Sequence, residues 1–265
     1  MTRLLLAALL TALLGGPASA IELHLLRSFP ADGPSGLAYD RDACALWVAN
    51  ETGTVRMIDL WGNEVRSFQA PLHRVDAVAV EGDHLLISDG SGMYQRVSRD
   101  GEALGEAFRL SVNLRDTDGL YVDNATSDFW VADDTAAEVV QIRQDGTTVR
   151  RLIGYMQTPQ LMEPQGITQD PVHGTILVVD DADASDSLFE FSADGVLRSV
   201  TSLAFAGMDA EGITVNAEGS QIFVAFDEGG MIAVFDYIPT QLDVAGEPLP
   251  SACLISSLEF GAPPV

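Results

Sequence analysis

From residue 21 onward the apolar positions come in short runs of about four to six residues, cut by Gly, Asp and Asn. Runs this short, rich in Val, Ile, Phe and Trp, suit strands and are too brief for helices. They recur in a fixed order. Five segments each open a unit: GLAYD (36–40), AVAVE (77–81), GLYVD (119–123), GITQD (166–170) and GITVN (212–216). Their starts lie 41, 42, 47 and 46 residues apart. A second strand follows each, namely LWVAN (46–50), LLISD (85–89), FWVAD (129–133), ILVVD (176–180) and IFVAF (222–226). A third follows as VRMIDL, MYQRVS, VVQIRQ, LFEFSA and IAVFDY, and a fourth shows in most units, as in EVRSFQ (64–69) and TVRRLIG (148–154). Turn pairs such as GN, DG and EG mark the joins.

Four-stranded units repeating at this period predict an all-β fold, a β-propeller. The second strands are nearly continuous apolar runs, as expected where neighbouring blades cover both faces. A β-sandwich does not account for the recurring order of four strands, and parallel β-helices use shorter coils. Five blades is the simplest count. ELHLLRSF (22–29) reads as a fourth strand rather than a first, so the N-terminal strand is expected to complete the last blade and close the ring. The segment CLISSLEF, within 241–265, leaves a divergent sixth blade as the alternative. The expected organisation is a leader at 1–20, a propeller at 21–240 and a tail at 241–265 packed on the propeller.

The leader reading comes from MTRLLLAALLTALLGGPASA: Arg3, an apolar run from Leu4 to Leu14, and small residues Ala18-Ser19-Ala20 before a cleavage point. This is the pattern of a secretory signal peptide, and the run is too short for a comfortable membrane span. The expected location is periplasmic or secreted, with no transmembrane span in the mature chain. In such a compartment the only two cysteines, Cys44 and Cys253, are expected to pair. Charge sharpens the picture. Asp plus Glu number 39 against 14 basic residues, all of them Arg, for a formal net charge of -25. A surface so acidic excludes direct nucleic-acid binding and calls for a cationic counterpart.

The carboxylates recur at fixed places. Successive strands of a blade run antiparallel, so the start of strand one and the end of strand two share a face. Ser35, Asp76, Asp118, Gln165 and Glu211 precede the first strands; Asn50 with Glu51, Asp89, Asp133 with Asp134, Asp180 with Asp181, and Asp227 with Glu228 follow the second. One rim of the channel should therefore be dense in oxygen ligands. Converging like charges repel unless a cation or protons relieve them. Ca²⁺, which takes six to eight oxygen ligands, is the expected ion, or another divalent cation of similar taste. The candidate ligands are Asp76, Asp118 and Glu211, with Asp133, Asp180 and Asp227. The competing reading makes these Asp residues structural, because Asp and Asn side chains commonly bond nearby backbone amides in turns. The stretch DDADASD (180–186) has the composition of a calcium loop without its Gly and Glu spacing, and reads as a solvated loop. His24, His73, His84 and His173 lack metal-ligand spacing, and no GxSxG elbow is present. Trp47 and Trp130 sit at matching strand positions and read as core; Trp61 falls at a turn.

The recurring G-[LI]-x-[VY]-[DN]…[LIF]-x-V-[AD]-[DN] pattern resembles the NHL-type, regucalcin/gluconolactonase-like and SdiA-regulated propellers over almost the whole chain after the leader. The resemblance implies a propeller that is either a metal-dependent hydrolase or a binding module. In the gluconolactonase-like enzymes a Glu near the first strand of the first blade joins Asn and Asp ligands around a central metal. Ser35 occupies that place here, with Glu211 offering a carboxylate from another blade. The expected function is binding of a small molecule or an envelope or extracellular protein at one end of the channel, with a divalent cation. The alternatives are a lactonase or esterase using Asp76 or Asp118 as base, and a structural envelope protein.

Overall fold

The computed structural model describes residues 21–182 and 186–240. The leader at 1–20, the tail at 241–265 and Cys253 lie outside the described residues, as does most of the middle of DDADASD.

The chain starts with β1 (Glu22–Pro30), which is set aside for the end of the ring. Blade one is β2 (Leu37–Asp40), β3 (Ala45–Ala49), β4 (Thr54–Asp59) and β5 (Glu64–Gln69). Blade two is β6 (Ala77–Glu81), β7 (His84–Ser88), β8 (Met93–Val97) and the two-residue β9 (Phe108–Arg109). Blade three is β10 (Gly119–Asp123), β11 (Asp128–Asp133), β12 (Glu138–Ile142) and β13 (Thr148–Ile153). Blade four is β14 (Pro164–Gln169), β15 (Ile176–Asp180), β16 (Ser187–Phe191) and β17 (Leu197–Ser202). Blade five is β18 (Met208–Val215), β19 (Gln221–Glu228) and β20 (Met231–Ile238), with β1 as its fourth strand. Every neighbouring pair is antiparallel, and the five sheets form a five-bladed propeller.

Closure follows the N-terminal expectation. β1 pairs with β20 from Glu22 opposite Ile238 to Pro30 opposite Met231, with an irregularity between Leu25 and Arg27. The first chain segment thus covers an edge that the last strand would otherwise leave open.

The core lies between blades, which explains why the second strands are apolar on both faces. β3 and β15 are buried at every position. Trp47 and Val55 of blade one pack with Leu85 and Ile87 of blade two. Trp130 and Val139 of blade three pack with Ile167 and Val178 of blade four. Both tryptophans are core residues, whereas Trp61 is exposed. The innermost strands approach so closely that glycine is needed at their starts. A Cβ on Gly119 would meet the Gln165 carbonyl at 2.1 Å, one on Gly166 the Glu211 carbonyl at 2.6 Å, and one on Gly212 the Ser35 carbonyl at 2.5 Å. The recurrent Gly that opens a unit is therefore the point where one blade touches the backbone of the next. Among the described residues, no helix is long and apolar enough to cross a membrane.

Candidate functional site at the upper mouth

The channel has two unlike ends. We call the face where first strands begin the upper face, and the face where they end the lower. On the lower face the acids at the ends of the first strands are fully engaged. Asp40 accepts hydrogen bonds from the Asp42 and Ala43 amides at 3.1 Å each and from Trp47 Nε1 at 3.0 Å, and pairs with Arg99. Glu81 pairs with Arg96 and His84, and Asp170 accepts from the Val172 and His173 amides and meets the His173 ring. The larger cavity, about 680 Å³, opens here, with Leu37, Leu120, Ile167 and Val215 in its wall beside Tyr39 and Tyr121. Its buried carboxylates are already spoken for, so free acid–base or metal chemistry is to be sought at the other end. Between the two ends the channel narrows to a space of about 10 Å³ among Gly36, Ala77, Gly119, Gly166 and Gly212.

On the upper face the second-strand ends divide into two kinds. Asp133, fully buried, accepts from the Arg115 amide at 2.7 Å and the Ala136 amide at 3.0 Å. Asp180 accepts from the Met162, Glu163 and Ala182 amides at 3.0, 3.0 and 3.1 Å. Asn50 does the equivalent work in blade one, binding the Asp32 and Gly33 carbonyls and the Thr52 amide. Each staples the loop leading into its own blade's first strand. Asp89 makes a turn with the Ser91 and Met93 amides, and Asp227 is exposed. Of the DDADASD stretch, Asp180 and Asp186 are buried rather than solvated, and Asp186 accepts from the Ala210 amide at 2.9 Å. Backbone amides of the entering loop and of β18 satisfy them.

The next residue in the chain behaves differently. Asp134 and Asp181 point the other way and join two carboxylate clusters over the mouth. One is Asp116, Asp118 and Asp134; the other is Asp181, Asp209 and Glu211. In each, one oxygen from every member lies within 4.8 Å of the others. Asp76 lies beside the first cluster. A methyl group placed on Gly90 would lie 2.3 Å from Asp76 Oδ2 and 3.7 Å from Asp118 Oδ1, so both carboxylates face the same space.

Electrostatics records the crowding. Burial is the main cause that pushes Asp118 up to about 8, reinforced by Asp116, Asp76 and Asp134. Burial likewise raises Glu211 to about 9, with Asp209, Asp181 and Asp118 adding to it. Asp134 rises to about 6 through burial and the charges of Glu163 and Asp116, and Asp181 is raised by burial first. Asp76 reaches about 6 because burial outweighs its 2.5 Å pair with Arg74 Nε. That pair occupies Oδ1 only. Oδ2 is buried without a hydrogen-bond partner, on a residue only 3% exposed.

Of the acids singled out in the sequence, the structure brings Asp76, Asp118 and Glu211 to the mouth. It commits Asp133 and Asp180 to backbone amides and leaves Asp227 at the exposed rim. The ligand-like residues beside the mouth that the repeat pattern did not single out are Asp116, in the loop entering β10, and Asp209, the second residue of β18. Asp209 also holds the left-handed backbone (φ 65), which Asp tolerates better than most residues. Ser35, the counterpart of the gluconolactonase Glu, is buried and donates to the Val75 carbonyl.

Comparison with solved structures agrees with the fold. A Myxococcus xanthus glutaminyl cyclase superposes with a TM-score of 0.64 at 16% identity, covering 84% of this chain and all (100%) of that one. The WD40 propeller domain of Doa1 gives a TM-score of 0.50 at 14% identity, over 76% of this chain and 62% of that one. At such identities the likeness is one of β-propeller architecture. No protein-family model matches the chain, and no curated protein matches it in sequence.

Proposed function

We propose that the protein is an exported binding propeller whose working face is the upper mouth, where Asp76, Asp116, Asp118 and Asp134 hold a divalent cation. The observation that carries this reading is Asp76. A buried carboxylate oxygen with no donor, facing Asp118, is costly unless a cation completes it. Four carboxylates without nitrogen or sulfur donors suit a hard cation, and calcium accepts such a set with carbonyls or water filling the remaining positions. On the lower face the acids that end the first strands, Asp40, Glu81 and Asp170, are held by turn amides, arginines and histidines, whereas the unpartnered Asp76 oxygen on the upper face has further carboxylates beside it.

Calorimetric titration of metal-stripped protein with Ca²⁺ tests the reading. Saturable binding is expected, weakened at least about tenfold in Asp118→Asn, the scale of one lost charge-assisted ligand. An absence of heat and of competition up to millimolar Ca²⁺ would sink it. Export is checked separately: the mature protein should begin at Ile21, in the periplasm or the medium.

One observation favours a hydrolytic alternative. Burial and neighbouring carboxylates raise Asp118 to about 8 without a cation, so its carboxyl can exchange a proton near neutral pH, and a bound cation would bring it back down. A cation that polarises a carbonyl beside such a carboxylate suits a lactone or ester as the substrate class. Turnover of such substrates that requires the ion and disappears in Asp118→Asn would put the enzyme reading ahead of the binding one.

A further inference from the structure

Two loops that lead into the first strands of blades four and five carry unusual side chains for a solvated surface. The loop before β14 presents Tyr155, Met156 and Met162, and the loop before β18, with that strand's first residue, presents Phe205 and Met208. Tyr155, Met156, Phe205 and Met208 are 62, 69, 58 and 51% exposed. Single exposed apolar residues are ordinary, but five large ones on two loops of one face mark an interaction surface. Phe205 is held rather than loose, meeting the buried Phe235 ring edge-on at 5.9 Å.

These side chains sit beside charge of one sign. Met162 precedes Glu163, and Met208 precedes Asp209; both acids act on Asp181, whose carboxylate lies in the cluster with Asp209 and Glu211. Neither loop carries a basic residue. The surface therefore combines flexible thioethers and two aromatic rings with a carboxylate triad. Methionine side chains adapt to partners of varied shape, which is why they recur on peptide-binding surfaces. A polypeptide segment brings a cation and apolar side chains together along its length, and so complements both the carboxylates and the exposed apolar side chains of this face.

We propose that the blade four and five side of the upper mouth docks a polypeptide segment in which a lysine, an arginine or a terminal amine is flanked by apolar residues. The cation enters the Asp181, Asp209 and Glu211 cluster, and the flanking side chains cover the methionine and aromatic crest. This deepens the reading of the upper mouth as the working face by naming its partner. It uses the carboxylates of blades four and five rather than Asp76, Asp116, Asp118 and Asp134, so substitutions in the two sets let the two readings fail separately.

The test is fluorescence anisotropy with a labelled decapeptide alternating lysine with leucine and phenylalanine. The comparison probes are a lysine–serine peptide, a peptide with glutamate replacing lysine, and vesicles of anionic phospholipid. The full chain is expected to bind the first peptide saturably. Binding should fall at least about tenfold in the double variant Met162→Ser, Met208→Ser, both exposed positions, and again in Asp209→Asn, since Asn also tolerates the left-handed backbone. The Ca²⁺ isotherm of the methionine double variant should be unchanged, and Asp118→Asn should still bind the peptide in chelator. Equal binding of the lysine–serine or glutamate peptide, an unaffected methionine variant, or capture by vesicles without peptide binding would each overturn the proposal. Loss of the Ca²⁺ isotherm alone would overturn only the metal reading.

Discussion

Asp133 and Asp134 are chain neighbours with opposite work, and the reason is the alternation of side chains at a strand end. Asp133 continues the β11 pattern into the protein, where amides of the incoming loop meet it. Asp134 faces the mouth, where carboxylates meet it. Mutation should separate the two classes. Asp133→Ala leaves several buried amide donors unpaired and should destabilise by at least about 2 kcal/mol in urea unfolding. Asp118→Asn should do the reverse in metal-free protein at pH 8, because it removes a charge that burial and its neighbours oppose. If Asp118→Asn proved as damaging as Asp133→Ala, Asp118 would be another structural staple and the candidate metal site would lose its central ligand.

At the scale of elements, the closing strand carries a firm expectation. Deleting residues 21–30 would leave β20 as an open edge and uncover apolar surface that Leu23 and Phe29 now cover. Loss of a cooperative unfolding transition, with association visible in size-exclusion chromatography, is the expected outcome; a monomeric, cooperatively folded deletion variant would show that the ring does not depend on this pairing. The lower face bears on the cysteine pair. Cys44 lies in the β2–β3 turn on that face, and β20 ends there too, with Thr240 held by the buried Glu190. β20 thus ends on the face that carries Cys44, and thiol labelling before and after reduction should find Cys44 and Cys253 protected until reduced. Two labels on the unreduced, unfolded chain would exclude the bridge.

The elements were legible in the sequence because each depends on local chemistry. Apolar runs of strand length, Gly where blades touch and Asx turns repeat whatever the global arrangement. β9 was hardly visible, since two residues, Phe108 and Arg109, are all the pairing it makes. Asp76, Asp118 and Glu211 occupy the same step of each repeat, which makes their place at the mouth legible. In the doublets, repetition of Asp133 and Asp180 reflects stapling to backbone amides, while Asp134 and Asp181 reach the mouth. Asp116, Asp209 and Glu163 give no periodic signal, because Asp116 and Glu163 belong to loops of unequal length and Asp209 to the irregular start of β18, whose paths are set by packing between blades rather than by the repeat.

For the whole molecule, the mouth couples charge to stability. Asp76, Asp118, Asp134 and Glu211 have folded-state values of about 6, 8, 6 and 9 against ordinary values of 3.8 for Asp and 4.5 for Glu. Between those limits the folded protein binds more protons than the unfolded chain, so stability falls as pH rises. The groups with lowered values, Asp59 and Glu81, act below their ordinary values of 3.8 and 4.5 and do not offset this slope near neutrality. Metal-free protein should thus show a thermal midpoint that declines from pH 5 towards pH 9, on top of the self-repulsion of a chain with net charge -25. On the metal reading, calcium would compete with protons for the oxygens of Asp76, Asp118 and Asp134. It should raise the midpoint more at pH 8 than at pH 5.5, and titration in buffers of different ionisation enthalpy should reveal protons released on binding. A midpoint independent of pH in chelator, with a calcium effect of equal size at both pH values, would mean that the mouth carboxylates are ionised and solvated throughout. The unpartnered Asp76 oxygen would then have water, not a cation, as its natural complement.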